Sequence, residues 1–218
     1  MELKDWKYYG FKKIDMLKKH KLPILLFIFL IVVFALLNIF IPKERTEAIS
    51  SRSQTETRDI APIKIPSFYS QQDPKWALDR LGNSNETIGK VGCLISSVCM
   101  NLSYYKQDIT PKELNQKLQK IDGYTNRGWL IWSKLEDITD KKLSIEFPKL
   151  SHKSIDNYLL EQKPVLAKVY IAKVIPHWVL IVGKREHEYL MLDPLGKGEL
   201  SKVSNYGGYI YSIRVLAE

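Results

Sequence analysis

Two cysteines are all that this chain of 218 residues contains, Cys93 and Cys99, six positions apart. With both on one helix the separation rises about 9 Å, beyond the ~7 Å reach of bridged Cα atoms, so a disulfide framework is excluded. Zinc-finger spacing, arginine-rich helices and aromatic-basic strand motifs are also missing, which removes the usual footprint of a nucleic-acid binder; no metal or cofactor is expected. There is no P-loop, so ATP-driven transport is not something this chain performs by itself. Charge is absent from one long stretch. LPILLFIFLIVVFALLNIFI, Leu22 to Ile41, has no Asp, Glu, Lys or Arg over twenty residues.

At about 1.5 Å per residue, a helix of that length spans the ~30 Å hydrocarbon core of a bilayer. A cleaved signal peptide is the competing reading, but its apolar region is usually ~7 to 15 residues long and ends in small residues. This run instead ends in NIFIPKERTE, and an anchor is expected. Before Leu22 stand seven lysines (Lys4, Lys7, Lys12, Lys13, Lys18, Lys19, Lys21) against three acids (Glu2, Asp5, Asp15), whereas only Lys43 and Arg45 follow Ile41 closely. That asymmetry predicts a cytoplasmic N-terminus and an extracytoplasmic remainder. The tail also supplies +4 of the net +9, so much of the basic balance is topological. The expected organisation is a basic tail at 1–21, a transmembrane helix at 22–41, a Ser/Thr-rich flexible stalk at 42–64 and one domain at 65–218.

Within the domain, TPKELNQKLQKI offers Thr110 as N-cap, Pro111 at the first helical position and Glu113 closing a capping box. GWLIWSKLEDI and SHKSIDNYLLEQ read as two further helices. After Pro164 the pattern changes to the short β-rich runs PVLAKVYI, HWVLIVG, EYLMLD and YIYSIRVL. Helices followed by strands predict an α+β domain with helices packed on a mostly antiparallel sheet.

Chemistry gathers at KVGCLISSVCM. Leu94, Ile95, Val98, Cys99 and Leu102 fall at helical spacing, which puts Cys93 in the first turn of a buried helix. Unpaired N–H groups and the helix dipole at that end favour a thiolate. Read alone, Cys93 is equally a nucleophile or a buried packing thiol, and Cys99 is a small core residue. Downstream, IPHWVLIVGKREHEYLMLD reads as a hairpin about the polar turn KREHE. Pairing Gly183 with Tyr189 sets Asp193 opposite Val179 and makes His177 its diagonal neighbour, an arrangement that a bulge would disturb. Such a carboxylate would orient the imidazole that deprotonates the thiol. Upstream, SFYSQQDPKW holds two glutamines, Gln71 and Gln72, whose amides suit an oxyanion site. His20, His152 and His187 are read as solvated.

Four stretches in order, YSQQDPKW, TIGKVGCLISSVCM, PHWVLIVG and MLDPLGKG, resemble the stand-alone relatives of the double-glycine, bacteriocin-leader peptidases, family thirty-nine of the cysteine peptidases. The resemblance covers about Ile65 to Leu216. It implies a papain-like fold with Cys93 as nucleophile, His177 as general base and acid, Asp193 as orienting residue, and Gln71 rather than Gln72 as oxyanion donor, because Gln71 holds the Q of Q-x-D. With one expected membrane span and no P-loop, the exporter role of the family does not carry over. The expectation is a membrane-anchored thiol hydrolase acting on peptide or envelope-derived amides. A non-catalytic papain-like module binding peptide or cell-wall material, and a cell-wall amidase of related fold, are the alternatives.

Overall fold

Apolar, β-rich runs after Pro164 build the sheet on which the site depends. The computed structural model describes residues 48–53, 59–139 and 142–218, together with Phe29. The expected basic tail (1–21) and membrane helix (22–41) lie outside the described residues apart from Phe29, which is helical. Among the described residues no helix is long and apolar enough to cross a membrane.

In chain order the elements are β1 (Ile49–Ser50), α1 (Ile88–Val91), α2 (Cys93–Tyr104), α3 (Pro111–Lys120), α4 (Trp132–Ile138), β2 (Ser144–Glu146), α5 (His152–Leu160), β3 (Val165–Ile171), β4 (Ile175–Arg185), β5 (Glu188–Leu192), β6 (Ser201–Lys202), β7 (Tyr209–Ile210) and β8 (Ser212–Ala217). Six strands form one antiparallel sheet in the order β2-β8-β3-β4-β5-β6, and β1 pairs with β7 in a separate ribbon. The fold class is the expected α+β. The central strands β3 and β4 are apolar over most of their length because helices cover them; Val165, Leu166, Ala167, Val179, Leu180 and Ile181 are fully buried. The predicted capping box is present: Glu113 N donates to Thr110 Oγ1 and Thr110 N donates to Glu113 Oε2.

Three local readings are corrected. The helix expected over 128–138 starts at Trp132, because Thr125 N bonds Trp129 O, Gly128 turns at φ +77° and Leu130 bridges Tyr124. YIYSIRVL is two strands interrupted at Tyr211. The stalk reading of 42–64 fails for residues 48–53 and 59–64: β1 pairs with β7, Arg52 forms a 2.6 Å ion pair with Glu188, and Ile60 and Ile63 are buried. Ile49 pairs with Ile210 of β7, and Ile60 and Ile63 find backbone partners on β4, an edge signal too short to show as periodicity.

The hairpin is also tied to α5. Lys184 is buried, with Nζ 2.8 Å from Asp156 Oδ2 and 3.1 Å from Ser53 Oγ, and Tyr189 donates to Asp156 Oδ1 at 2.9 Å. His152, expected in solvent, stacks on Tyr189, and burial pushes its pKa down.

Candidate active site

A tight helix junction places the thiol. The single turn α1 ends at Gly92, whose N–H bonds Ile88 O at 2.7 Å, and α2 begins at the next residue. A Cβ on Gly92 would lie 2.5 Å from Ile88 O and 2.6 Å from Ile88 Cα, so only glycine permits this approach. Cys93 is thus the first residue of a twelve-residue helix, at its positive end. Its sulfur accepts the Trp178 N–H at 3.4 Å. Both cysteines are free thiols. Cys99, inside the same helix and fully buried, has its pKa pushed well up by that burial, which suits a core residue and not a nucleophile.

His177 and Asp193 arrive on the hairpin. Leu180 pairs with Leu192 and Ile181 with Met191, which makes Val179 and Asp193 the next opposed positions, as the register argument expects. At the turn end the register differs by one, Gly183 pairing with Leu190, because a bulge lies between Ile181 and Gly183. The extra residue sits on the turn side of the site and leaves the site half of the ladder in place. His177 Nε2 lies 2.8 Å from Asp193 Oδ1. Cys93 neighbours the same ring and favours its charged form, and with Nε2 occupied, Nδ1 is the nitrogen available to the thiol.

The electrostatics follow from burial against pairing. Burial opposes charge on His177, yet the Asp193 hydrogen bond and the adjacent Cys93 outweigh it and raise the imidazole to about 9. Burial likewise raises Asp193, but hydrogen bonds from His177, Tyr206 and the Leu195 N–H hold it below the ordinary carboxylate value. An imidazolium therefore persists at neutral pH beside the sulfur.

Gln71 joins the two halves. Its backbone N–H bonds Pro194 O at 3.0 Å, one residue beyond Asp193, while its Nε2 bonds Gly89 O at 3.0 Å, in the turn before Cys93. The side chain is buried, whereas Gln72 is exposed. The structure therefore brings Cys93, His177 and Asp193 together and ties Gln71 to both sides of them. Tyr206, the Leu195 N–H and the Trp178 N–H were missed by sequence reasoning. The two backbone donors carry no residue-type signal, and Tyr206 lies in an aperiodic stretch between strands.

The sequence profile described as the peptidase C39 family matches residues 88–205, just over half of the chain. That span includes Cys93, His177 and Asp193, and Gln71 lies before it. A crystal structure described as a C39-like peptidase from Bacillus anthracis superposes with a TM-score of 0.52 at 12% identity, covering 74% of this chain and 98% of that one. At that identity the likeness is one of fold. No curated protein matches the sequence.

Reaction of Cys93 with iodoacetate tests the electrostatics without a substrate, because an anionic reagent is drawn to the thiolate only while the neighbouring imidazole is charged. The rate is expected to fall through an upper limb near pH 9. In Asp193→Asn the limb should move down toward the ordinary imidazole value of 6.5, since the carboxylate that favours the imidazolium is gone. An unmoved limb in that variant would show that Asp193 does not set the histidine.

Proposed function

The chain belongs to the peptidase C39 family, and on that premise we propose that it is a membrane-anchored thiol hydrolase whose domain works outside the cytoplasmic membrane, cleaving a peptide or related amide bond. The observation that carries the reading is the buried cluster, a free thiol at a helix start beside an imidazole whose Nε2 is bonded to a carboxylate. In the first step the Cys93 thiolate attacks the carbonyl carbon, a C–S bond forms, and the carbonyl electron pair moves to oxygen. Gln71 stabilises that oxyanion through the second hydrogen of Nε2, the first being held by Gly89 O. The C–N bond then breaks as the His177 imidazolium gives its proton to the leaving amine. Water, deprotonated by His177, attacks the thioester, and loss of the thiolate regenerates Cys93 and releases the acid.

A module that only binds peptide has no use for an oriented imidazole beside a free thiol, which favours hydrolysis over the non-catalytic reading. Anchoring and orientation rest on the twenty uncharged residues of 22–41 and the lysines before them. An external domain meets exported peptides and envelope components, so these are the proposed substrates.

An activity-based thiol probe followed by mass spectrometry should label Cys93 and leave the buried Cys99 untouched, and Cys93→Ala should abolish turnover of any peptide substrate found. Labelling at Cys99 first, or full activity in Cys93→Ala, defeats the assignment. On such a substrate Gln71→Ala is expected to lower kcat by about 10² or more, the usual loss on removing one oxyanion donor, with Gln72→Ala close to unchanged. A larger loss from Gln72→Ala transfers the role. For topology, protease added to intact cells or spheroplasts should remove the domain and leave the anchor in the membrane. Protection of the whole chain until permeabilisation reverses the orientation and brings cytoplasmic peptides back as substrates.

A further inference from the structure

Tyr206 follows the short 3₁₀ turn Val203–Asn205 and reaches both members of the histidine–carboxylate pair. Its hydroxyl donates to Asp193 Oδ2, and its ring lies against the His177 imidazole, centroids 5.1 Å apart at an interplanar angle of 60°. The opposite oxygen, Oδ1, accepts from His177 Nε2 at 2.8 Å and from Leu195 N at 2.9 Å. Among the described residues no other hydrogen bond reaches Oδ2. The backbone around Tyr206 is held on both sides. Its N–H bonds Val203 O at 3.0 Å, and after Gly207 and Gly208, at φ +68° and +77°, the chain enters β7, which β1 pairs.

We propose that Tyr206 is a positioning residue of the hydrolase, resting on the assignment of Cys93, His177 and Asp193: its hydroxyl fixes the free oxygen of Asp193, and its ring covers the imidazole–carboxylate bond. The hydroxyl does two things at once. It stops the carboxylate from rotating about its Cβ–Cγ bond, so that Oδ1 stays in line with Nε2. It also draws negative charge toward Oδ2 and away from the imidazole, which limits how tightly His177 keeps the proton that it must release to the leaving amine. Tyr206 is itself held neutral, because burial and the Asp193 charge push its pKa up.

The groups that bear on this pair are few. Cys93 faces His177 from α2, and Asp193 faces it from the end of β5. Behind Asp193 and Tyr206 lies a cavity of about 320 Å³ whose wall carries Lys197 and Glu199, one charge of each sign. Neither replaces the direct bond from the phenol.

The test uses the full chain and the iodoacetate profile of Cys93 in four proteins: the natural sequence, Tyr206→Phe, Asp193→Asn and the double variant. Phenylalanine keeps the ring on His177 and deletes only the hydroxyl. Tyr206→Phe is expected to raise the upper limb by roughly half a pH unit or more, because the carboxylate then presents its full charge to the imidazolium. In the Asp193→Asn background the same change should move nothing, since the group through which Tyr206 acts is already neutral; a residue that merely supports the fold gives no such dependence. A Tyr206→Phe profile superimposable on the natural one, or an equal shift in both backgrounds, overturns the proposal. A natural chain lacking the upper limb altogether removes the catalytic reading, and the role of Tyr206 with it.

Discussion

Side chains alternate along a strand, so His177 and Asp193 meet in only one of the two registers open to β4 and β5; a one-residue slip would turn one of them to the opposite face. The register that joins them is set where Leu180 and Ile181 pair with Leu192 and Met191. A two-residue turn at Glu186–His187 closes the other end with a count that differs by one, and the bulge absorbs the difference. Such a bulge leaves backbone groups without ladder partners. The N-terminal segment pairs along this part of β4. Ile63 N bonds Val182 O at 2.7 Å, and Ile60 exchanges both backbone bonds with Lys184 at 2.9 and 3.0 Å. Gly183 completes the fit, because a Cβ there would lie 2.9 Å from Pro62 Cα. What the composition presents as tether therefore seals the irregularity on which the histidine–carboxylate contact depends.

The same helix shows how the surroundings sort two identical, buried side chains. Cys93 and Cys99 are both buried, but Cys99 lies within α2 with apolar neighbours, and every contribution to its pKa disfavours the thiolate. Cys93 has the helix start, the Trp178 N–H and the His177 ring around it. The difference is one of available donors, not of exposure. Sheet and helix each bring part of that environment, and Ser97 Oγ fastens them by donating to Trp178 O at 3.1 Å, one turn along α2 from the sulfur.

Sequence reasoning succeeds here where a single local rule decides the outcome. Thr110 and Glu113 make a capping box whatever packs around them, the apolar spacing after Gly92 fixes the start of α2, and the strand pattern after Pro164 gives β3, β4 and β5 almost to their ends. It also finds the His177–Asp193 contact from a pairing one residue wrong at the turn, because the bulge restores the expected register before the site. It fails where long-range geometry decides. β1 and β6 have two residues each, and β2 three, too few for alternation to register. Tyr206 acquires its position from β7, whose own partner, β1, lies some 160 residues earlier in the chain. No window of sequence contains both.

Gln71, proposed above as the oxyanion donor, is placed more firmly than its loop setting suggests. The turn that carries it is stapled by Trp76 Nε1 to Ser70 O at 2.8 Å and by Ser70 Oγ to Pro194 O at 3.1 Å. Its own backbone N–H reaches the same Pro194 carbonyl, and its side chain reaches Gly89. The Gln71 amide is therefore referenced both to the segment holding Asp193 and to the turn preceding Cys93. Catalysis by preorganised donors requires that the amide not reorient as charge develops. With one Nε2 hydrogen held by Gly89, the other keeps a fixed direction, so in the proposed role the cost of ordering it would be met on folding instead of during each turnover.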